Sequence, residues 1–191
     1  MKNILLILGF VLFLSSQVFP QNKTIDSLKN ELKTVKHDTL RSSVLLQLGE
    51  SLLNIKPDSA LKYFLEVKDI SEKKITNSKE LITVYKKNLG SAYNNIGMFF
   101  QMKGQILKAI ESNKKSLEIF ETINYQYGIA VNLYNLGLIY ESLGENNKSL
   151  DYFQKSLSVF ELINNKVIEV GKTISGFVSY LRLNKNKIKQ N

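Results

Sequence analysis

A forty-residue period constrains this chain more than any other feature. Gly97, Gly104, Ala109, Ser116 and Phe120 recur as Gly137, Gly144, Ser149, Ser156 and Phe160, each forty residues further on. Five coincident offsets, with small residues answering small and large answering large, establish an internal repeat. The later copy, residues 131–160, reads VNLYNLGLIYESLGENNKSLDYFQKSLSVF. Leu133, Leu136, Gly137 and Tyr140 recur at three- and four-residue steps, and so do Leu150, Phe153, Ser156, Leu157 and Phe160. Those steps place each set on one helical face. The unit is thus two amphipathic helices joined by a tight turn at Gly144. Small Gly137, with Ser149 and Ser156 on the facing helix, lets the two approach closely. Such a hairpin cannot bury its apolar face alone and needs neighbours stacked on it. A looser copy lies at 44–67, where Gly49 takes the glycine role, Ala60 the small-residue role and Phe64 the role of Phe153.

Glycine at the eighth position, an aromatic three later, a small residue twelve later, an aromatic near position 24 and a small residue near 27 form a pattern that resembles the tetratricopeptide repeat. In the last full copy these are Gly137, Tyr140, Ser149, Phe153 and Ser156. The middle copy has Gly97, Phe100, Ala109 and Ser116, with Asn113 in place of the second aromatic. The resemblance covers roughly residues 38–183. It implies an all-α fold of helical-hairpin repeats stacked into a right-handed superhelix, an α-solenoid. The expected organisation is a capping helix within 22–37, repeats at 38–77, 78–123 and 124–163, helix A of an incomplete fourth repeat at 164–183, and a basic tail at 184–191. The family is a scaffold for many unrelated partners, so the motif speaks for fold and not for a particular ligand.

Residues 1–21, MKNILLILGFVLFLSSQVFPQ, are expected to stand apart from the fold. Lys2 precedes an eleven-residue apolar run, Ile4 to Leu14, and a polar exit. That order is the grammar of a secretory signal peptide, and the run is short for a membrane span. The expectation is therefore an exported chain, periplasmic or secreted, with no transmembrane segment in its mature part. The most apolar later stretch, 167–183, contains Glu169, Lys172 and Arg182.

Local signals fill in the repeats. Pro57 fits the first position of a helix, where its missing N–H costs nothing. Asn124 and Asn146 read as helix N-caps. Gly49 to Gly97 is 48 residues, eight more than the later period, and about two extra helical turns on either side of 71–80 would absorb the surplus. The last stretch, KVIEVGKTISGFVSYLRL, follows the repeat phase, since Tyr180 falls forty after Tyr140. It is apolar over most of its circumference, whereas a terminal helix should have a polar outer face. Three arrangements account for this: a truncated relative of a longer protein, a second copy covering the face, or the helix of another protein. An exposed apolar patch of this size signals an interaction, so Ile174, Phe177, Val178 and Leu181 are a candidate self-interface for a homodimer.

Little chemistry is available. The chain has no Cys, which excludes disulfides, thiolate catalysis and Cys-based metal sites, and its one histidine, His37, falls at a turn beside Asp38 with no second ligand in view. No nucleophile–His–acid set and no glycine-rich phosphate cradle is present. The expectation is a non-enzymatic protein with no metal and no cofactor. Net charge is +9, and loss of Lys2 leaves 25 basic against 17 acidic residues. Nearly all the basic residues are scattered lysines, the arginines being Arg41 and Arg182 alone. Nucleic-acid readers cluster Arg with exposed aromatics, so a nucleic-acid partner is not expected.

The resemblance also implies where a partner would bind, because helix A of each repeat lines the concave wall in this family. Counting the repeat glycine as position 8, position 6 holds Gln47, Asn95 and Asn135 in turn. Repeated Asn there resembles the asparagine ladder of kinesin-light-chain-like repeats, which holds a peptide backbone through its amides. The same residues could instead satisfy helix–helix backbone groups. Neighbouring candidates are Asn94 and Tyr134 at position 5, Met98 and Leu138 at position 9, and Glu141 at position 12. Positions 2 and 5 lack the lysines of the family's carboxylate clamp, so chaperone-tail recognition is not expected. The reading is a protein- or peptide-binding scaffold. Its alternatives are a self-associating structural protein or a truncated relative of the exported sensor halves that such repeats form in bacterial signalling proteins.

Overall fold

A computed structural model describes residues 23–76 and 80–188, with side chains described as far as Glu169. The expected signal peptide lies outside the described residues. Among those residues the regular structure is entirely helical. Residues 23–34 form α1, followed by α2 (Asp38–Leu52), α3 (Pro57–Ile75), α4 (Ile82–Met102), α5 (Ile106–Thr122), α6 (Gln126–Ser142) and α7 (Asn146–Ile188). The chain forms two compact units, dividing between Ile123 and Asn124.

In the first unit α2 pairs with α3, α3 with α4, and α4 with α5. Ile25 and Leu28 of α1 join Val44, Leu48 and Leu52 of α2, Ala60 and Phe64 of α3, and Ile96 and Phe99 of α4 in one buried cluster. Val67 of α3, Ala92 of α4 and Leu45 of α2 form a second. The glycine role assigned from sequence is seen in the geometry. A Cβ on Gly49 would fall 2.3 Å from Phe64, and one on Gly97 would fall 2.4 Å from the Asn113 amide. Asn113 replaces the expected aromatic without leaving its nitrogen unpaired, because Nδ2 donates to the Ala109 carbonyl one turn back, at 2.9 Å.

In the second unit α6 pairs with α7. A Cβ on Gly137 would come within 2.6 Å of the Phe153 ring. The small residue near position 27 does more than make room. Ser156 Oγ donates to the Ala130 carbonyl at 2.8 Å, and forty residues earlier Ser116 Oγ donates to the Gly90 carbonyl at 2.6 Å. Each hairpin is thus pinned by a buried hydroxyl on the opposing backbone.

The turns inside the hairpins also match at the forty-residue offset. Gly104 has φ +69° and Gly144 φ +71°, and the next amides, Gln105 and Glu145, donate to the Phe100 and Tyr140 carbonyls at 2.8 and 3.0 Å. This is a helix C-terminus closed by a left-handed residue, which glycine adopts at least cost.

Three expectations are revised. Asn124 is not an N-cap: it takes φ +52° in the turn after α5, its side chain accepts from Gln126 Nε2, and Tyr125 precedes α6 without a side-chain cap. Asn is among the residues that best tolerate that left-handed conformation. Asn146 is the first residue of α7 and not its cap. No turn separates 124–163 from 164–183, because α7 runs unbroken for 43 residues. Its expected break point, LINNKVIEV, holds neither Gly nor Pro, and an Asn costs a helix interior at most about 0.7 kcal/mol.

Pro57 opens α3 as expected. Helix absorbs part of the surplus of the first repeat: α3 and α4 have 19 and 21 residues against 17 in both α5 and α6.

Candidate partner-binding surfaces

The residues expected on the A helices fall in both units. In the first, α2 and α4 lie close enough for Asn95 Nδ2 to donate to Glu50 Oε1 at 3.1 Å. Asn95 is thereby engaged inside the protein, by a side chain of the neighbouring helix and not by the backbone group that the helix–helix reading invoked. Gln47 is exposed and lies 3.4 Å from Ser43 Oγ. Asn94 is buried, and its Nδ2 has no hydrogen-bond partner among the described residues. Met98 is exposed one turn on. In the second unit Tyr134 is exposed and its ring sits 5.5 Å from that of Phe153. Asn135 is buried beside it, again with Nδ2 unpartnered among the described residues. Leu138 is half-buried and Glu141 exposed on the following turns.

A buried amide nitrogen without an acceptor forfeits roughly 1–3 kcal/mol, so such groups call for an explanation. The Asn94 and Asn135 nitrogens are both fully buried, so either amide would have to turn outward to meet an incoming carbonyl. Exposed neighbours, Met98 and Tyr134, offer apolar contact beside them.

Sequence reasoning missed a second surface. A cleft of 370 Å³ in the first unit is lined by Ile75 of α3, Leu89 and Tyr93 of α4 and Ile119 of α5, with Glu72, Lys86 and Lys115 among its charges. Tyr93 Oη donates to Glu72 Oε1 at 3.1 Å, and Lys68 Nζ donates to Glu72 Oε2 at 2.9 Å. Lys115 lies 5.7 Å from the Tyr93 ring centre. Glu72 and Tyr93 are 21 residues apart, outside any helical spacing, and neither is one of the small or aromatic residues by which the repeat was recognised. Burial, and then the negative charge of Glu72, push the Tyr93 hydroxyl above its usual range, and the bond to Glu72 raises Lys68. A raised folded-state value means stability that is complete below the unfolded value and lost as pH climbs through the folded one. Thermal stability should therefore fall above about pH 10, and Tyr93→Phe should flatten part of that fall. Melting temperatures of both chains across the alkaline range check this; identical curves would count against a half-buried, Glu72-linked hydroxyl.

His37 is exposed, with Nδ1 3.2 Å from Thr39 Oγ1. Among the described residues no three His, Cys, Asp or Glu side chains gather as a metal site, and no helix is long and apolar enough to cross a membrane. The side chains of Ile174, Phe177, Val178 and Leu181 lie outside those described.

Close-packed helical hairpins in a forty-residue register, each with a glycine under a side chain of the facing helix, define a helical-repeat scaffold. Residues 88–161 match the tetratricopeptide repeat family model. Such repeats are generally non-catalytic and serve protein–protein interaction. Among solved structures, the chain is similar to the crystal structure of aspartyl phosphate phosphatase F from Bacillus subtilis, with TM-score 0.63 and 18% identity over 76% of this chain and 39% of that one. It therefore spans well under half the length of that neighbour, and the likeness is one of fold. The crystal structure of MamA aligns over 74% of this chain and 89% of its own at 20% identity, with a TM-score of only 0.36. No curated protein matches the sequence.

Proposed function

We propose that the protein is an exported, non-catalytic scaffold whose two units each bind an extended segment of a partner protein on the exposed face of an A helix, α4 in the first and α6 in the second. The observation that carries this is the pair of buried, unpartnered amide donors, Asn94 and Asn135, each beside an exposed apolar side chain. Main-chain carbonyls of a peptide would be the acceptors that complete them once each amide turns outward toward the exposed side chain beside it. Leader-like residues 1–21 support export, and the intact mass of the exported chain, expected to begin near residue 22, checks that half of the reading.

Peptides selected from a random displayed library should bind the wild-type chain and lose at least about tenfold in affinity with Asn135→Ala, equivalent to about 1.4 kcal/mol. Asn95→Ala should leave peptide affinity nearly unchanged and loosen α2 against α4 instead, since Glu50 already occupies that amide. Calorimetric titration reads the first effect and thermal melting the second. Failure to select any peptide, or equal affinity for the Asn135 variant, would remove the peptide reading.

A further inference from the structure

We infer that α7 is the exchanged arm of a homodimer, in which residues 166–183 of one copy cover the open face of residues 150–163 in a second copy, and the second does the same for the first. The inference stands independently of peptide binding. It starts from exposure in the second unit. Leu150 and Leu157 are 56% and 58% exposed, and Phe160 is 37% exposed where its counterpart Phe120 is 3%. In the first unit the following A helix covers such a face: α4 packs on α3, with Val67 and Ala92 in one buried cluster. The element that belongs on the face of 150–163 is therefore the A helix of the next repeat. Residues 166–183 carry that phase, with Tyr180 forty after Tyr140.

The continuity of α7 decides which chain supplies it. A helix advances 1.5 Å per residue, so residues 166–188 carry the chain on the order of 30 Å away from their own hairpin. An unbroken α7 cannot reach its own open face. Two copies laid antiparallel can each complete the other, and an exchange of identical elements closes as a two-fold pair. The register follows from the first unit. Tyr93, four before Gly97, bonds Glu72, twelve after Ala60. The same repeat positions are Thr173, four before Phe177, and Glu161, twelve after Ser149. That antiparallel register sets Leu157 level with Phe177, and Phe160 level with Ile174. Asn164 stands forty after Asn124, the left-handed turn residue, so one position serves as hinge if the arm folds back instead.

The absence of cysteine makes the test clean. Glu161→Cys and Thr173→Cys chains, prepared separately, are mixed and treated with a short bis-maleimide. A cross-linked dimer is expected in the mixture and not in either chain alone, because like positions lie about 18 Å apart in this register. Light scattering should give twice the chain mass, falling to one with Phe177→Ser and Leu181→Ser combined, with little loss of helicity. Two results would overturn the inference. One is a cross-link formed only within a chain that carries both Glu161→Cys and Thr173→Cys, at monomer mass, which would mean a folded-back arm. The other is no cross-link in any combination.

Discussion

Phe64→Ala is expected to destabilise the first unit by about 3–5 kcal/mol, the cost of truncating a fully buried phenylalanine. The side chain has no exposed surface and lies in the cluster that ties α1, α2, α3 and α4 together. Its ring lies directly on Gly49, so the cavity opens between two helices whose backbones set its walls. Those helices can relax inward only by sliding, which the surrounding Val44, Leu48 and Ile96 resist. A domain of this size holds about 5–15 kcal/mol in total, so the loss is a large share of it. Urea denaturation followed by circular dichroism should show the first unit melting early, and two separate transitions are expected, because repeats couple mainly to their neighbours. A shift below about 1 kcal/mol would mean that Phe64 does not organise this core.

Gly137→Ala has the second largest expected effect, and its sign is the point. Helix propensity alone favours Ala over Gly by about 0.8–1.0 kcal/mol in a helix interior. Geometry opposes it, because the new Cβ would fall 2.6 Å from two carbons of the Phe153 ring, which also packs against Tyr134 one turn earlier on α6. Overpacking of that kind costs about 1–3 kcal/mol, so net destabilisation is expected. The same substitution in a Phe153→Ala background should be neutral or stabilising, since the obstacle is gone and propensity remains. A double-mutant cycle measures this; additive effects would place the close approach elsewhere.

The fold was legible where one residue type answers one geometric demand. Glycine under Phe64 or Phe153, glycine at the φ-positive turns 104 and 144, and proline at the head of α3 each have a single cheap solution, and the sequence displays it. Legibility failed where one residue type serves two demands. Asn suits both an N-cap and a left-handed turn, and only the backbone around Asn124 separates them. Ser116 and Ser156 read as small because their sequence position shows size and not the direction of an Oγ toward the opposing carbonyl. The expected end of the third hairpin relied on the period alone, and residues 162–170 hold nothing that stops a helix. Of the candidate site, the A-helix positions were foreseen from the repeat phase. Which amides stand engaged, Asn95, and which stand unpartnered, Asn94 and Asn135, depends on the neighbouring helix and could not be read along the chain. The Glu72–Tyr93 cleft joins two helices across the one interval, Gly49 to Gly97, that departs from the forty-residue spacing.

The serine-to-carbonyl bonds join residues 26 apart, and the Asn95–Glu50 bond joins residues 45 apart. Fastenings this local respond to tension in a particular way. A chain pulled from its ends would release one hairpin while the next held, each release adding on the order of 130–140 Å of extended length for forty residues. Force would meet a series of small latches and not one global barrier. Such a protein lengthens by instalments under load and recovers the same way when the load is removed.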